Sequence, residues 1–285
     1  MSVLSRCAIV RALSLLSLAW ALCAGAAPLR PTQPDARAAS DALALREHQA
    51  AQQAAEHAGG ARLWFAGFAM NATSAAFSGD IARVADVAGA IPGTVLRYEH
   101  VNPVAAGPLR HPFATPRTLA LTLQRIGAQT RPGDIVLLVI STHGGKGLLS
   151  INAGGREYPP FGSAALARAL QPLGDVPTVV VLSACYSGSF IPALARSNRI
   201  VLTAASAQRS SYGCDASSKE TFFVEESFDS RFDAGESLRQ LFARSRAQIA
   251  QREHEAGLRP SDPQLSVGAG VTGLAERPMR DWLQP

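Results

Sequence analysis

The sequence predicts an α/β protein, a three-layer α/β/α sandwich built on a mostly parallel sheet. Short aliphatic and β-branched runs recur without polar alternation, most clearly at residues 135–140, 178–182 and 200–203. Such runs are typical of strands that helices cover on both faces. Segments with helical periodicity separate them, which is the order that a parallel sheet requires.

Weaker patterns complete the predicted domain. Further strands are indicated at 63–67, 95–98 and 264–267, with half of a small hairpin at 148–151. Helices are predicted at 81–90, 115–126, 164–170, 221–232 and 236–255. The chain shows no internal repeat and no second core, so we predict one domain over residues 61–285.

Composition indicates a folded protein with no nucleic-acid partner. Hydrophobic residues make up 47% of the 285 residues and charged residues 17%, which supports a real core. The 27 basic and 22 acidic residues give a mild net charge of +5. No basic stripe with interleaved aromatic residues is present, which argues against nucleic-acid binding.

The N-terminus has the order of features of a secretory signal, predicted over residues 1–26. Arg6 and Arg11 precede an apolar run at 12–23, and the small residues at 24–26 fit a cleavage site. We therefore expect an exported protein, periplasmic or secreted, with no membrane span after signal removal. A retained anchor and lipid attachment at Cys23 are the alternatives.

Residues 27–60 are predicted to form a proline-rich linker and an Ala-rich helix at 41–58. The helix carries few large apolar residues, so we expect it to dock loosely. Its Glu and His residues lack the HExxH spacing of a metal site. We expect no metal and no cofactor.

Two strand ends carry unusual chemistry. His143 and Gly144 follow the run at 135–140, and Cys185 follows the run at 178–182. Ligands of open parallel sheets gather at the carboxyl ends of the strands. If the two strands are neighbours, His143 and Cys185 face each other.

This pair suits nucleophilic catalysis. A thiolate is the reactive form of cysteine, and an imidazole can take its proton and later protonate a leaving amine. The backbone N–H groups of Gly144 and Cys185 are candidates for an oxyanion hole. A serine nucleophile, Ser187 or Ser189 with His143, is the local rival, but no G-x-S-x-G elbow surrounds either serine.

Two cysteines remain once the signal is removed, Cys185 and Cys214. In an oxidising compartment they would form a disulfide, or one would be a catalytic thiol and the other incidental.

Several motifs, in order, resemble the legumain family of cysteine peptidases, which have a caspase-like fold. An apolar strand ends in His143-Gly144, and another ends in Ala184-Cys185-Tyr186-Ser187-Gly188, similar to the family's Glu-Ala-Cys-x-Ser-Gly signature. The segments at 203–205 and 210–214 resemble the family's next strand and specificity loop, and 63–67 resembles its opening strand. The resemblance covers about residues 61–235 and is to a bacterial-type, exported member.

The resemblance implies that His143 and Cys185 are the catalytic pair and that Cys214 is a loop residue. By the same matching, Ser210, Ser211 and Glu225 would lie near the pocket for the residue preceding the scissile bond. Ser183 stands where legumain has a glutamate that helps bind asparagine. We therefore expect a less acidic pocket at Ser183, without a strict asparagine preference.

Three functions follow as hypotheses. The leading one is an endopeptidase that forms and hydrolyses a thioester, with a peptide or protein as substrate. The second is a transpeptidase, in which an amine takes the acyl group instead of water. The third is a non-catalytic, caspase-like binding module, which predicts a Cys185–Cys214 disulfide or an unreactive thiol. No feature of the sequence indicates an oligomeric state.

Overall fold

The computed structural model describes residues 33–153, 156–229 and 231–284. The predicted signal peptide and most of the linker lie outside these ranges. Within them, no helix combines the length and the apolar character needed to cross a membrane.

A six-stranded sheet forms the centre of the domain, in the order β2-β1-β3-β7-β8-β9. Its strands are β1 (Arg62–Ala69), β2 (Thr94–Val101), β3 (Ile135–Ser141), β7 (Thr178–Ser183), β8 (Arg199–Thr203) and β9 (Gln264–Val267). Every neighbouring pair is parallel except β8 and β9, which are antiparallel. The predicted α/β class with a mostly parallel sheet is confirmed.

A second, antiparallel sheet follows His143 directly. It contains β4 (Gly144–Gly145), β5 (Leu148–Ala153) and β6 (Arg156–Gly162). The run at 148–151 is the middle strand of this sheet, pairing with β4 on one side and β6 on the other.

Alternate side chains of the central strands enter two separate cores. Leu63 and Phe65 of β1 join one core, with Leu137 and Val139 of β3. Trp64 of β1 joins the second core, together with the side chains of the other strands that point to the same face of the sheet. Because both faces are buried, all residues of β1, β3, β7 and β8 are buried, which explains their continuous apolar sequence.

Helices cover both faces and complete the three layers. One core is covered by α2 (Ala76–Ala90), α6 (Phe222–Phe228), α7 (Leu238–Glu255) and α8 (Thr272–Glu276). The other is covered by α1 (Gln33–His57), α3 (Pro116–Gly127), α4 (Ser163–Ala169) and α5 (Ile191–Leu194). Side chains cap three of these helices at their N-termini, Thr115 on α3, Thr221 on α6 and Ser237 on α7.

Helix α1 is docked more firmly than its composition predicts. The N–H of Glu99 donates to Glu47 Oε1 at 2.6 Å, and the N–H of Phe113 donates to Ser40 Oγ at 2.8 Å. Ala51 and Ala55 are buried against the second core. Small side chains let the helix approach closely, and polar side chains then bind main-chain groups of the domain.

A buried ion pair joins the start of β1 to the turn before β3. Arg62 Nη2 lies 2.6 Å from Asp134 Oδ2, and both side chains are almost fully buried. Trp64 Nε1 and the N–H of Arg131 also donate to this carboxylate. Burial alone raises the pKa of Asp134, but the hydrogen bonds from Arg62, Trp64 and Arg131 outweigh it and hold the pKa below its usual value.

We predict that Arg62→Met destabilises the domain by about 3–5 kcal/mol, because it leaves the Asp134 carboxylate buried without its partner. The control is Arg246→Met, which breaks the exposed 2.8 Å pair with Asp262 and should cost less than about 1 kcal/mol. Denaturant unfolding of both variants measures the difference. If the two variants lost equal amounts of unfolding free energy, the buried pair would not be the stronger contact.

Candidate active site

The two strand ends that carry His143 and Cys185 are neighbours. Strands β3 and β7 pair in parallel with Ser141 opposite Ser183, and the N–H of Thr142 donates to the carbonyl of Ser183 at 3.1 Å. His143 and Cys185 each lie two positions beyond these residues. The predicted adjacency of the strands is present, and the two candidate residues follow strands that end at the same edge of the sheet.

Gly144 brings the histidine segment against the cysteine segment. A Cβ atom at this position would lie 2.3 Å from the carbonyl oxygen of Cys185 and 3.0 Å from the Cβ of Ala184. Only glycine permits this approach, because the nearest obstacle is main chain and not a movable side chain.

The thiol of Cys185 is surrounded by main-chain and hydroxyl groups of Ser211. The N–H of Ser211 lies 3.4 Å from Cys185 Sγ, and Ser211 Oγ lies 3.7 Å from it. Both groups can donate a hydrogen bond to a thiolate. The next residue, Tyr186, has a left-handed backbone with φ 56°. Such strain in a non-glycine residue is typical of functional turns.

Both cysteines of the described chain are free thiols. Cys214 is half-buried and packs against the first core. Burial raises the pKa of the Cys214 thiol, and the nearby Cys185 and Asp215 raise it further. Cys214 is therefore kept in the protonated, poorly nucleophilic form.

The imidazole of His143 is held on two sides. The ring of Phe77 meets it edge-on, with ring centroids 4.8 Å apart. Thr73 Oγ1 lies 3.0 Å from His143 Nε2. Burial lowers the pKa of His143, and the charge of Glu157 opposes this effect. A lowered pKa favours the neutral imidazole, which is the form that accepts a proton.

The four predicted pocket residues lie in different surroundings. Ser211 contacts the sulfur of Cys185, and Ser210 precedes it on the same loop. Ser183 is buried below the site, with its hydroxyl 2.8 Å from Thr221 Oγ1. Glu225 is exposed on α6, and its carboxylate binds Arg252 of α7 at 2.8 Å. The structure thus brings Ser211 to the thiol of Cys185 and directs the Glu225 carboxylate toward α7. The expected less acidic pocket stays a prediction.

A buried carboxylate beneath the site was not identified from the sequence. Asp80 of α2 accepts from Ser141 Oγ at 2.6 Å, and from the N–H and Oγ1 of Thr221 at 2.8 and 2.9 Å. Ser141 precedes the His143 segment, Ser183 precedes the Cys185 segment, and Thr221 ends the loop that carries Ser211. Asp80 is therefore hydrogen-bonded to Ser141 and Thr221 directly, and to Ser183 through Thr221. It links the residues that anchor all three segments.

Across the described ranges, no three His, Cys, Asp or Glu side chains converge in an arrangement that could hold a metal ion. The arrangement offers a thiol, an imidazole and nearby hydrogen-bond donors, which are the groups of acyl-transfer chemistry.

Asp80 predicts a pH dependence of stability. Burial raises the pKa of Asp80 to about 7, although hydrogen bonds from Ser141 and Thr221 lower it. The folded state therefore binds the proton more tightly than the unfolded state, so this stabilisation is complete below pH ~4 and is lost as the pH rises through 7. Asp80→Asn stays neutral and should lack this decline.

Thermal unfolding of the wild type and Asp80→Asn between pH 4 and 8 measures the effect. The control is Asp86→Asn on the exposed face of the same helix, which should follow the wild type. Parallel curves for the wild type and Asp80→Asn would contradict titration of Asp80 in this range.

The approach of Gly144 to Cys185 gives a second prediction. Gly144→Ala should displace the main chain of Cys185 and reduce turnover by about a hundredfold, the cost of a misplacement of roughly 1 Å. The adjacent Gly145→Ala is the control, since a Cβ there meets nothing within 4 Å. Peptide hydrolysis by the two variants is compared. Equal activity would show that the contact does not position the site.

Comparisons with known proteins identify the family of the chain. The model of the peptidase C13 family matches residues 121–273, which contain both His143 and Cys185. Caspase-1 from Spodoptera frugiperda is similar in structure, with a TM-score of 0.47 and 13% sequence identity over 73% of this chain and 86% of that chain. A search of curated proteins gave no match. Because the family match spans more than half of the chain, the chain belongs to the peptidase C13 family of cysteine peptidases.

Proposed function

We propose that this peptidase is a cysteine endopeptidase that uses Cys185 as nucleophile and His143 as general acid and base. The observation that carries the proposal is the parallel pairing of β3 and β7. Because of this pairing, both residues lie just beyond the ends of neighbouring strands. The contact between Gly144 and the Cys185 carbonyl supports it, because it brings the two segments together.

The first half of the reaction forms a thioester. The neutral imidazole of His143 takes the thiol proton of Cys185, and the sulfur attacks the carbonyl carbon of the scissile bond. The resulting imidazolium then donates its proton to the leaving nitrogen, and the C–N bond breaks. The lowered pKa of His143 supports this sequence, because it leaves the imidazole free to accept the first proton.

The negative charge on the former carbonyl oxygen needs fixed donors. We assign this role to the backbone N–H groups of Gly144 and Cys185. Within the described ranges, the Cys185 N–H donates to no protein group, so it is free to bind a substrate oxygen.

The second half of the reaction releases the acyl group. His143, again neutral, takes a proton from a water molecule, and the oxygen of that water attacks the thioester carbon. The C–S bond breaks, and the proton returns from the imidazolium to the sulfur of Cys185. The products are the peptide acid and the free enzyme.

Three single variants test the assignment. Cys185→Ala should abolish hydrolysis of a peptide library, and His143→Ala should lower it by at least about a thousandfold, because the members of a catalytic unit fail together. Cys214→Ala should keep most activity, since its thiol is half-buried and kept protonated.

Thermal unfolding controls for misfolding in each variant. Both catalytic residues lie beyond the core strands, so none of the three changes should abolish cooperative unfolding. An inactive Cys214→Ala beside an active Cys185→Ala would show that the nucleophile is wrongly assigned.

A further inference from the structure

A short chain of hydrogen bonds leads from the imidazole of His143 to the buried side chain of Asn71. It runs from His143 Nε2 to the hydroxyl of Thr73 at 3.0 Å, and from that hydroxyl to Asn71 Oδ1 at 2.7 Å. The amide nitrogen of Asn71 then lies 3.0 Å from Ser150 Oγ. All three partners are polar side chains with limited numbers of donors and acceptors, so the direction of each hydrogen bond can be worked out.

Asn71 fixes the direction of the chain. Its Oδ1 also accepts the backbone N–H of Thr73 at 3.0 Å, so the amide oxygen must face Thr73 and the amide nitrogen must face Ser150. The side chain is almost fully buried. Its backbone is also held, because the neighbouring N–H of Ala72 donates to the carbonyl of Asn152 in β5 at 3.1 Å.

The single proton of the Thr73 hydroxyl is therefore committed. An amide oxygen only accepts, so the hydroxyl proton points to Asn71 Oδ1. What Thr73 Oγ1 offers to His143 is a lone pair. The neutral imidazole can satisfy that lone pair only with a proton on Nε2, which leaves Nδ1 as the unprotonated nitrogen.

From this geometry we infer that Thr73, backed by Asn71, is a positioning residue that fixes the tautomer and orientation of His143. With Nε2–H bound to Thr73, Nδ1 is the atom that exchanges protons with Cys185 and the leaving amine. This inference rests on the proposed role of His143. It assigns the support of the base to a hydroxyl in the loop that follows β1 rather than to a charged side chain.

Other contacts hold the same segment. The N–H of Ser150 donates to the carbonyl of His143 at 2.9 Å, and its hydroxyl accepts from Asn71. Ser150 is therefore hydrogen-bonded to both His143 and Asn71. Phe77 restricts the ring from its edge. These contacts leave the ring in place when Thr73 loses its hydroxyl, so the tautomer, and not the fold, should respond.

The test compares Thr73→Val, which keeps the shape and removes the hydroxyl, with Thr73→Ser, which keeps the hydroxyl. The matched control is Thr272→Val on α8, where the hydroxyl only reaches the carbonyl of Ala269. The tautomer of His143 is read by long-range ¹⁵N–¹H correlation of the imidazole, and kcat and KM for peptide hydrolysis are measured alongside across pH.

We expect the Nε2–H tautomer in the wild type, Thr73→Ser and Thr272→Val, and a mixture of tautomers in Thr73→Val. Loss of one neutral hydrogen bond to the base should lower kcat about tenfold in Thr73→Val with little change in KM, and Thr73→Ser should restore it. The acid limb of the pH profile should move to lower pH, because the imidazolium loses an acceptor.

An Nδ1–H tautomer in the wild type would overturn the inference, as would a Thr73→Val variant that matches the wild type in tautomer and kcat. The tautomer measurement does not need catalysis. If Cys185→Ala still hydrolysed peptides, the proposed function would fail, while the Nε2–H tautomer would still decide the role of Thr73.

Discussion

The parallel pairing of β3 with β7 is the constraint on which the rest of the site depends. Ser141 lies opposite Ser183, and one further hydrogen bond continues the ladder from Thr142 to Ser183. A shift of one residue in either strand would turn its buried side chains to the other face of the sheet. Close packing of specific side chains in the two cores therefore fixes the register, and the register brings the segments of His143 and Cys185 to the same edge of the sheet. The relative position of these two segments is in this sense a consequence of core packing.

The layer directly below the site is polar, which is unusual for the centre of a sandwich. Asp80 lies among Ser141, Ser183 and Thr221, and all four side chains are buried. Burying a carboxylate costs free energy unless donors surround it, and three hydrogen bonds offset part of that cost here. Hydrogen bonds are directional where apolar contacts are not. They therefore hold the segments that carry His143, Cys185 and Ser211 at fixed relative positions.

Much of this arrangement was predictable from the sequence because its signals are local. Unbroken apolar runs mark β3, β7 and β8, and the residues that follow them identify His143 and Cys185. The support of the site could not be predicted in the same way. Asp80 and Thr221 are 141 positions apart, and Thr73 and His143 are 70 positions apart. No periodicity connects such residues, and an Asp early in α2 resembles an ordinary acidic residue near a helix start. Helix α1 was underestimated for a related reason, because its contacts are made by alanines and by polar groups that bind main chain.

Covalent labelling tests the central claim most directly. A peptidyl acyloxymethyl ketone loses its carboxylate to an activated thiolate and leaves a thioether that peptide mapping can locate. We predict one label for each folded chain, on Cys185, with Cys214 unmodified and with labelling strongly slowed in His143→Ala. A label on Cys214, or labelling of Cys185 only after unfolding, would contradict the account.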